Sequence, residues 1–161
     1  MEAAGCAPDH ELLRPWRLLR IADTQRDALA DVFEAALLER VPEADANARG
    51  MAREKAYRAP VLLLAVARLL PAHEDVPESE RYVALGAALQ NLLLAAHGQG
   101  YAAMLTSGHA LRTAHFERAF GLREGERAAC FVSIGTPTGV KRRQRPSAHE
   151  LIADWAPPGL R

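Results

Sequence analysis

Two stretches carry the residue types most able to do chemistry: Lys141-Arg142-Arg143-Gln144-Arg145 and Thr106-Ser107-Gly108. The first places four cations in five residues, and three readings of it are open. It can be a solvated segment beyond a strand, a nucleic-acid contact, or a clamp for a terminal phosphate, which arginine binds bidentately. Nucleic-acid binding has the least behind it, because no stacking aromatics interleave the cations and the net charge of the chain is zero. The second stretch closes an apolar run with two hydroxyls, and such strand-end loops commonly meet a ligand. The six histidines are scattered, and none pairs at i, i+4 around a glutamate. Cys6 and Cys130 form no CxxC pair, so the chain shows no metal signature. No GxSxG elbow, Walker loop or GxGxxG fingerprint is present either, and no side chain stands out as a catalytic acid, base or nucleophile.

The elements that must position these residues follow from hydrophobic pattern and breakers. Residues 1 to 10 look like the last turn of a helix running into a loop at Pro8. Trp16 to Ala22 alternates in bulk as a strand does, and Asp23-Thr24 signals the start of a helix that Pro42 ends. Ala46 to Tyr57 is polar and rich in Arg and Ala, fitting a short surface helix or a mobile cover. Pro60 sets an extended entry to Val61–Ala67, an apolar run that suits a central strand covered on both faces.

Pro77, Glu78 and Glu80 mark the next helix start. From Val83 to Ala96 nearly every residue is apolar or small, which predicts a helix buried on all sides. Gln90-Asn91 inside it can cap a polar pocket or bond another helix. Gly98 and Gly100 stop it, Tyr101–Leu105 reads as a short buried strand, and Leu111–Phe120 as one helix. Arg127–Thr136 is a third strong strand before the basic run, and the tail beyond carries Leu151, Ile152 and Trp155, which need a surface to cover them. The order of elements predicts an α+β sheet with helices packed on it.

At 161 residues, 49% of them apolar, the chain is about one domain, taken as 1–161. No apolar run is long enough to span a bilayer, and residues 1 to 10 show no export signal. Two isolated cysteines fit reduced thiols in a cytoplasmic protein. A helix needing cover on two sides, in so short a chain, points to a homodimer.

Four blocks then resemble one known family. APDHxLxRPWR at 7–17, YRAPVLLLAVA at 57–67, GAALQNLLLAAHGQGY at 86–101 and FVSIGTPTG at 131–139 are similar to the nitroreductase family, in the same order along the chain. The resemblance implies an α+β fold with a mixed or antiparallel sheet flanked by helices and a central buried helix. It also implies a homodimer with two FMN sites at the interface and a C-terminal tail reaching the partner subunit. Its function would be electron transfer from NAD(P)H to a nitroaromatic, quinone or similar small acceptor.

By that resemblance, His10 and its loop reach the flavin of the other subunit, and Arg14 faces the isoalloxazine ring. Leu105, Thr106 and Ser107 lie along the flavin, while Lys141 and Arg143 hold its phosphate. Trp16 reads as core. Three departures are visible, the largest at the front. Cys6 stands where relatives often carry Arg, and Leu105-Thr106 stands where related chains carry Trp and Arg. The family's opening helix and basic motif also have no counterpart before Met1. From these departures comes an alternative expectation: a non-catalytic dimer of the same fold that binds flavin weakly, serving as a binding or scaffold module.

Overall fold

The computed structural model describes residues 1–70, 76–139 and 144–155. Its frame is the strand predicted at Val61–Ala67, found here as β2 (Val61–Arg68). Val61 and Arg68 are exposed at its ends, and the six residues between them are buried. Strand residues alternate between faces. Accordingly, Leu62, Leu64 and Val66 enter one core and Leu63, Ala65 and Ala67 the other. β1 (Trp16–Ile21) pairs antiparallel on one side and β4 (Glu126–Gly135) antiparallel on the other. β3 (Ala102–Thr106) closes the far edge against β4, giving the order β1-β2-β4-β3. The sheet is therefore wholly antiparallel, one of the two alternatives the sequence left open.

The first core lies under α2 (Arg26–Arg40), α3 (Ala46–Arg53) and the short α5 (Ala114–Ala119). Phe33, Phe116, Phe120 and Phe131 meet there with ring centroids 4.4–6.4 Å apart. Offset and edge-on pairs of this kind add about 0.5–1.5 kcal/mol each beyond burial. The segment 46–57 is part of this core: Ala52 and Ala56 are buried, and Arg49 and Arg53 bind Glu34 on α2.

The second core lies under α1 (Glu2–Gly5) and α4 (Glu78–Gly98). Here the expectation of a helix buried all round holds for one face only. Ala84, Leu85, Ala88, Leu89, Leu92 and Ala96 pack inward, whereas Val83 is 72% and Leu94 58% exposed. The chain sets one sheet under α4 and, among the described residues, nothing over its outer face. Leu151, on α6 (Ala148–Leu151), and Ile152 and Trp155 beyond it are likewise exposed.

Two smaller expectations also change. β3 is an edge strand with Ala102, Met104 and Leu105 exposed, so its apolar sequence does not reflect burial in this chain. The single helix predicted over 111–120 is broken at Thr113. The Thr113 hydroxyl accepts from Phe116 N at 3.3 Å and donates to Ala110 O at 2.8 Å, which starts α5 afresh after a 3-10 turn at His109–Arg112. A threonine that can cap outcompetes helix continuation. Glu39 of α2 reinforces the break, accepting from Ala114 N at 3.0 Å and His115 N at 2.9 Å.

Candidate functional site

The loop after β3 is the centre of the site. Thr106, Ser107 and Gly108 leave the sheet edge between two hollows, and Ser107 and Gly108 line both. The larger, about 890 Å³, is a groove bordered by Leu69, Tyr82 and a mixture of charges, with Glu78, Glu117, Arg112 and Arg127 in its rim. The smaller, about 240 Å³, lies over the aromatic core. Phe33, Leu37, Leu62 and Phe131 give it an apolar wall. Arg40 from the end of α2, and Lys55 and Arg58 from the 3-10 turn at Glu54–Tyr57 and its cap, give it a cationic one.

The three cations have no carboxylate within ion-pair distance among the described residues. Burial, followed by repulsion from Arg58 and Arg40, lowers the Lys55 ammonium below the ordinary lysine range. Sequence reasoning missed this wall. Its one local signal was the i, i+3 spacing of Lys55 and Arg58, which puts both on one side of a helical turn. Arg40 joins them only through the packing of α2.

His10 and Arg14 belong to a different part of the molecule. The loop from Asp9 to Arg14 holds three non-glycine residues at positive φ: Glu11 at 50°, Leu12 at 57° and Arg14 at 44°. Such conformations cost about 1–2 kcal/mol each, and they gather where function demands a shape. The loop is held by Asp9, whose Oδ2 accepts from Arg14 N at 2.7 Å, and by His10 Nδ1, 3.4 Å from Glu80 Oε2 on α4.

Register fixes where this loop stands relative to Ser107. Trp16 pairs with Ala67, Ala67 with Arg127, and Thr106 with Phe131 on the same strand as Arg127. Arg14 and Ser107 therefore flank the same end of the sheet but on opposite edges, with β2 and β4 between. At about 4.8 Å per strand the three steps across the sheet span roughly 14 Å, and the four residues from Arg127 to Phe131 add about 13 Å along the strands, so the two are on the order of 20 Å apart. One chain does not bring the two predicted halves together. Leu105 and Thr106 adjoin Ser107 as expected, whereas Lys141 and Arg143 lie outside the described residues.

Between those edges sits a structural cluster. Glu126 at the start of β4 is buried and takes both Arg17 Nε and Arg17 Nη2 at 2.8 Å. It also accepts from Arg123 N at 3.0 Å, and Arg68 Nε lies at 3.7 Å. The Arg17 guanidinium, first among these partners, holds the Glu126 carboxyl down at about 2.

A sequence model described as the nitroreductase family matches residues 1–136 of the chain. The chain belongs to the nitroreductase family. It is 30% identical over 137 residues to the proposed NAD(P)H nitroreductase YdjA of Escherichia coli (strain K12), covering 85% of this chain and 73% of that protein. The fold is similar to the crystal structure of a nitroreductase-like family protein from Bacillus cereus, with a TM-score of 0.82 and 21% identity, over 96% of this chain and 80% of that one. It is also similar to a proposed nitroreductase from Exiguobacterium sibiricum, solved in complex with FMN. There the TM-score is 0.68 at 17% identity, over 96% of this chain and 83% of that one. Nitroreductase membership makes the chain an oxidoreductase by family. The helices on both faces of its antiparallel sheet are the α+β arrangement that the four sequence blocks implied.

Proposed function

We propose that the chain is an FMN-dependent oxidoreductase that passes electrons from NAD(P)H to a nitroaromatic, quinone or similar small acceptor. The observation that carries this reading is the Leu105–Ser107 strand end, which opens onto a cavity with an aromatic floor. An edge strand with its outer side free gives a flat ring backbone and hydroxyls to lie along. The residues present fit FMN in chemistry: the exposed apolar side chains of Met104 and Leu105 on the β3 edge for the ring, and the hydroxyls of Thr106 and Ser107 for its polar atoms. FMN, when bound, supplies the two-electron redox chemistry, and the protein binds, orients and excludes water. Leu105, Thr106 and Ser107 line the ring in this proposal, and Lys141 and Arg143 hold the phosphate. Arg14 offers positive charge to the ring, and His10 helps to fix the Arg14 loop through Glu80.

The separation of Arg14 and Ser107, on the order of 20 Å, supports a homodimer. A second copy can bring its 9–14 loop to the Ser107 edge, which one chain alone cannot do. The exposed Tyr82, Val83 and Leu94 of α4, with Leu151, Ile152 and Trp155 of the tail, give such a dimer apolar surface to bury.

Purification without added cofactor tests the reading, followed by titration with FMN and an assay of NADH and NADPH oxidation with a nitroaromatic or quinone. Tight flavin uptake and acceptor-dependent turnover are expected. A dimer that remains colourless and takes up no FMN would instead favour the non-catalytic binding module.

A further inference from the structure

Several cations among the described residues are satisfied within the fold. Arg17, Arg49 and Arg53 are paired with carboxylates, and Arg26 and Arg81 donate to backbone carbonyls. Arg40, Lys55 and Arg58 do neither, yet all three line one small cavity. Like charges gathered beside an apolar wall are held at a cost, and a bound anion removes it. Their cavity is amphiphilic in a specific way, with Phe33 and Phe131 on one side and the three cations on another. Its volume of about 240 Å³ falls below the roughly 300–1,000 Å³ typical of pockets for larger ligands. That suits one substituted aromatic ring. Ser107, at the strand end assigned above to the flavin, forms part of the same lining.

We propose that Arg40, Lys55 and Arg58 are specificity residues that select electron acceptors bearing a carboxylate on an aromatic ring. The ring lies against Phe33 and Phe131, and the carboxylate meets the guanidinium and ammonium groups. This rests on the flavin reading of the Thr106–Ser107 edge, because the acceptor must sit beside the reduced cofactor. For a nitroaromatic acid the balance is Ar–NO2 + NAD(P)H + H⁺ giving Ar–NO + NAD(P)⁺ + H2O. Two electrons leave the nicotinamide, one N–O bond breaks, and the oxygen departs as water.

The test compares 4-nitrobenzoate with its neutral isostere 4-nitrobenzamide, in the wild type and in Arg40→Gln, Arg58→Gln and the double variant. The wild type is expected to favour the benzoate in kcat/KM by about ten-fold or more, the worth of a hydrogen bond between charged groups. The double variant should lose that preference mainly through KM, with FMN content measured alongside. Equal use of both acceptors by the wild type would overturn the proposal. So would a double variant that loses FMN and falls equally with both, since the cations would then hold the cofactor. Calorimetric titration of the apoprotein separates this from a failure of the flavin reading. Even if no FMN binds, tighter binding of 4-nitrobenzoate than of 4-nitrobenzamide, lost in the double variant, keeps the anion site. No difference between the two ligands overturns it.

Discussion

Two groups of charges in this protein differ in one respect. Around Glu126, the cations Arg17 and Arg68 converge on a buried carboxylate. Around the 240 Å³ cavity, Arg40, Lys55 and Arg58 converge on no carboxylate. The first group joins β1 to β4 across β2, and its charges are satisfied within the fold. The second is exposed to solvent and draws no carboxylate from within the fold among the described residues. A buried pair is costly to break because the surviving charge is stranded, whereas removing one of several like charges relieves repulsion. On the proposed reading the paired group serves the fold and the exposed group serves binding.

Substitution at Glu126 should give the largest effect. Glu126→Gln should lower stability by about 3 kcal/mol, because it leaves Arg17 without its counter-charge; urea denaturation measures it, and a loss below about 1 kcal/mol would erase the contrast drawn here. The effect has a defined pH window. The Glu126 carboxyl is depressed from 4.5 to about 2, so its contribution is complete above 4.5 and is lost as pH falls toward 2. The stability gap between wild type and Glu126→Gln should accordingly shrink across that interval.

Next in size is the outer face of α4. Leu94→Glu should weaken self-association by about 2 kcal/mol or more, as a charge placed in an apolar contact does. Its side chain is 58% exposed in the single chain, so the fold should survive. Sedimentation equilibrium reads the association and circular dichroism the fold, and unchanged self-association in a folded variant would place the interface elsewhere.

A smaller gain is expected in the strained loop. Leu12 sits at φ 57° and is 76% exposed. Relief of left-handed strain, about 1–2 kcal/mol, less glycine's entropic penalty of about 0.5–1, leaves Leu12→Gly more stable by roughly 0.5–1 kcal/mol. A thermal melt that moves downward would mean the side chain contributes more than the strain removes. Smallest of all is Arg58→Gln, which should change stability by less than about 0.5 kcal/mol in either direction. A large loss in its urea midpoint would make Arg58 a structural cation like Arg17.

How much of this was legible beforehand depends on how local each signal is. β2 was readable because a strand covered on both faces must be apolar at every interior position. The start of α4 at Pro77 was readable from its proline and acidic first turn. The apolar α4 was also plain, but sequence cannot say whether the cover over Val83 and Leu94 comes from this chain or another. The same limit applied to β3, whose apolar residues looked like core and form an exposed edge. Thr113 misled because a capping threonine inside a helical pattern declares itself only through its hydrogen bonds. Arg40 with Lys55 and Arg58 was hidden because tertiary packing alone gathers them. Of the candidate site, the place of the Leu105–Ser107 loop at the end of β3 was legible from its strand-ending hydroxyls, while its distance from Arg14 follows only from strand order and register.

Sedimentation velocity of the FMN-titrated protein, followed at the visible absorbance of flavin, tests the shared two-chain site most directly. The account predicts that the flavin boundary travels with a species of twice the chain mass, at one FMN per chain. Flavin that stays behind in the buffer while the protein sediments as a lone chain would contradict it.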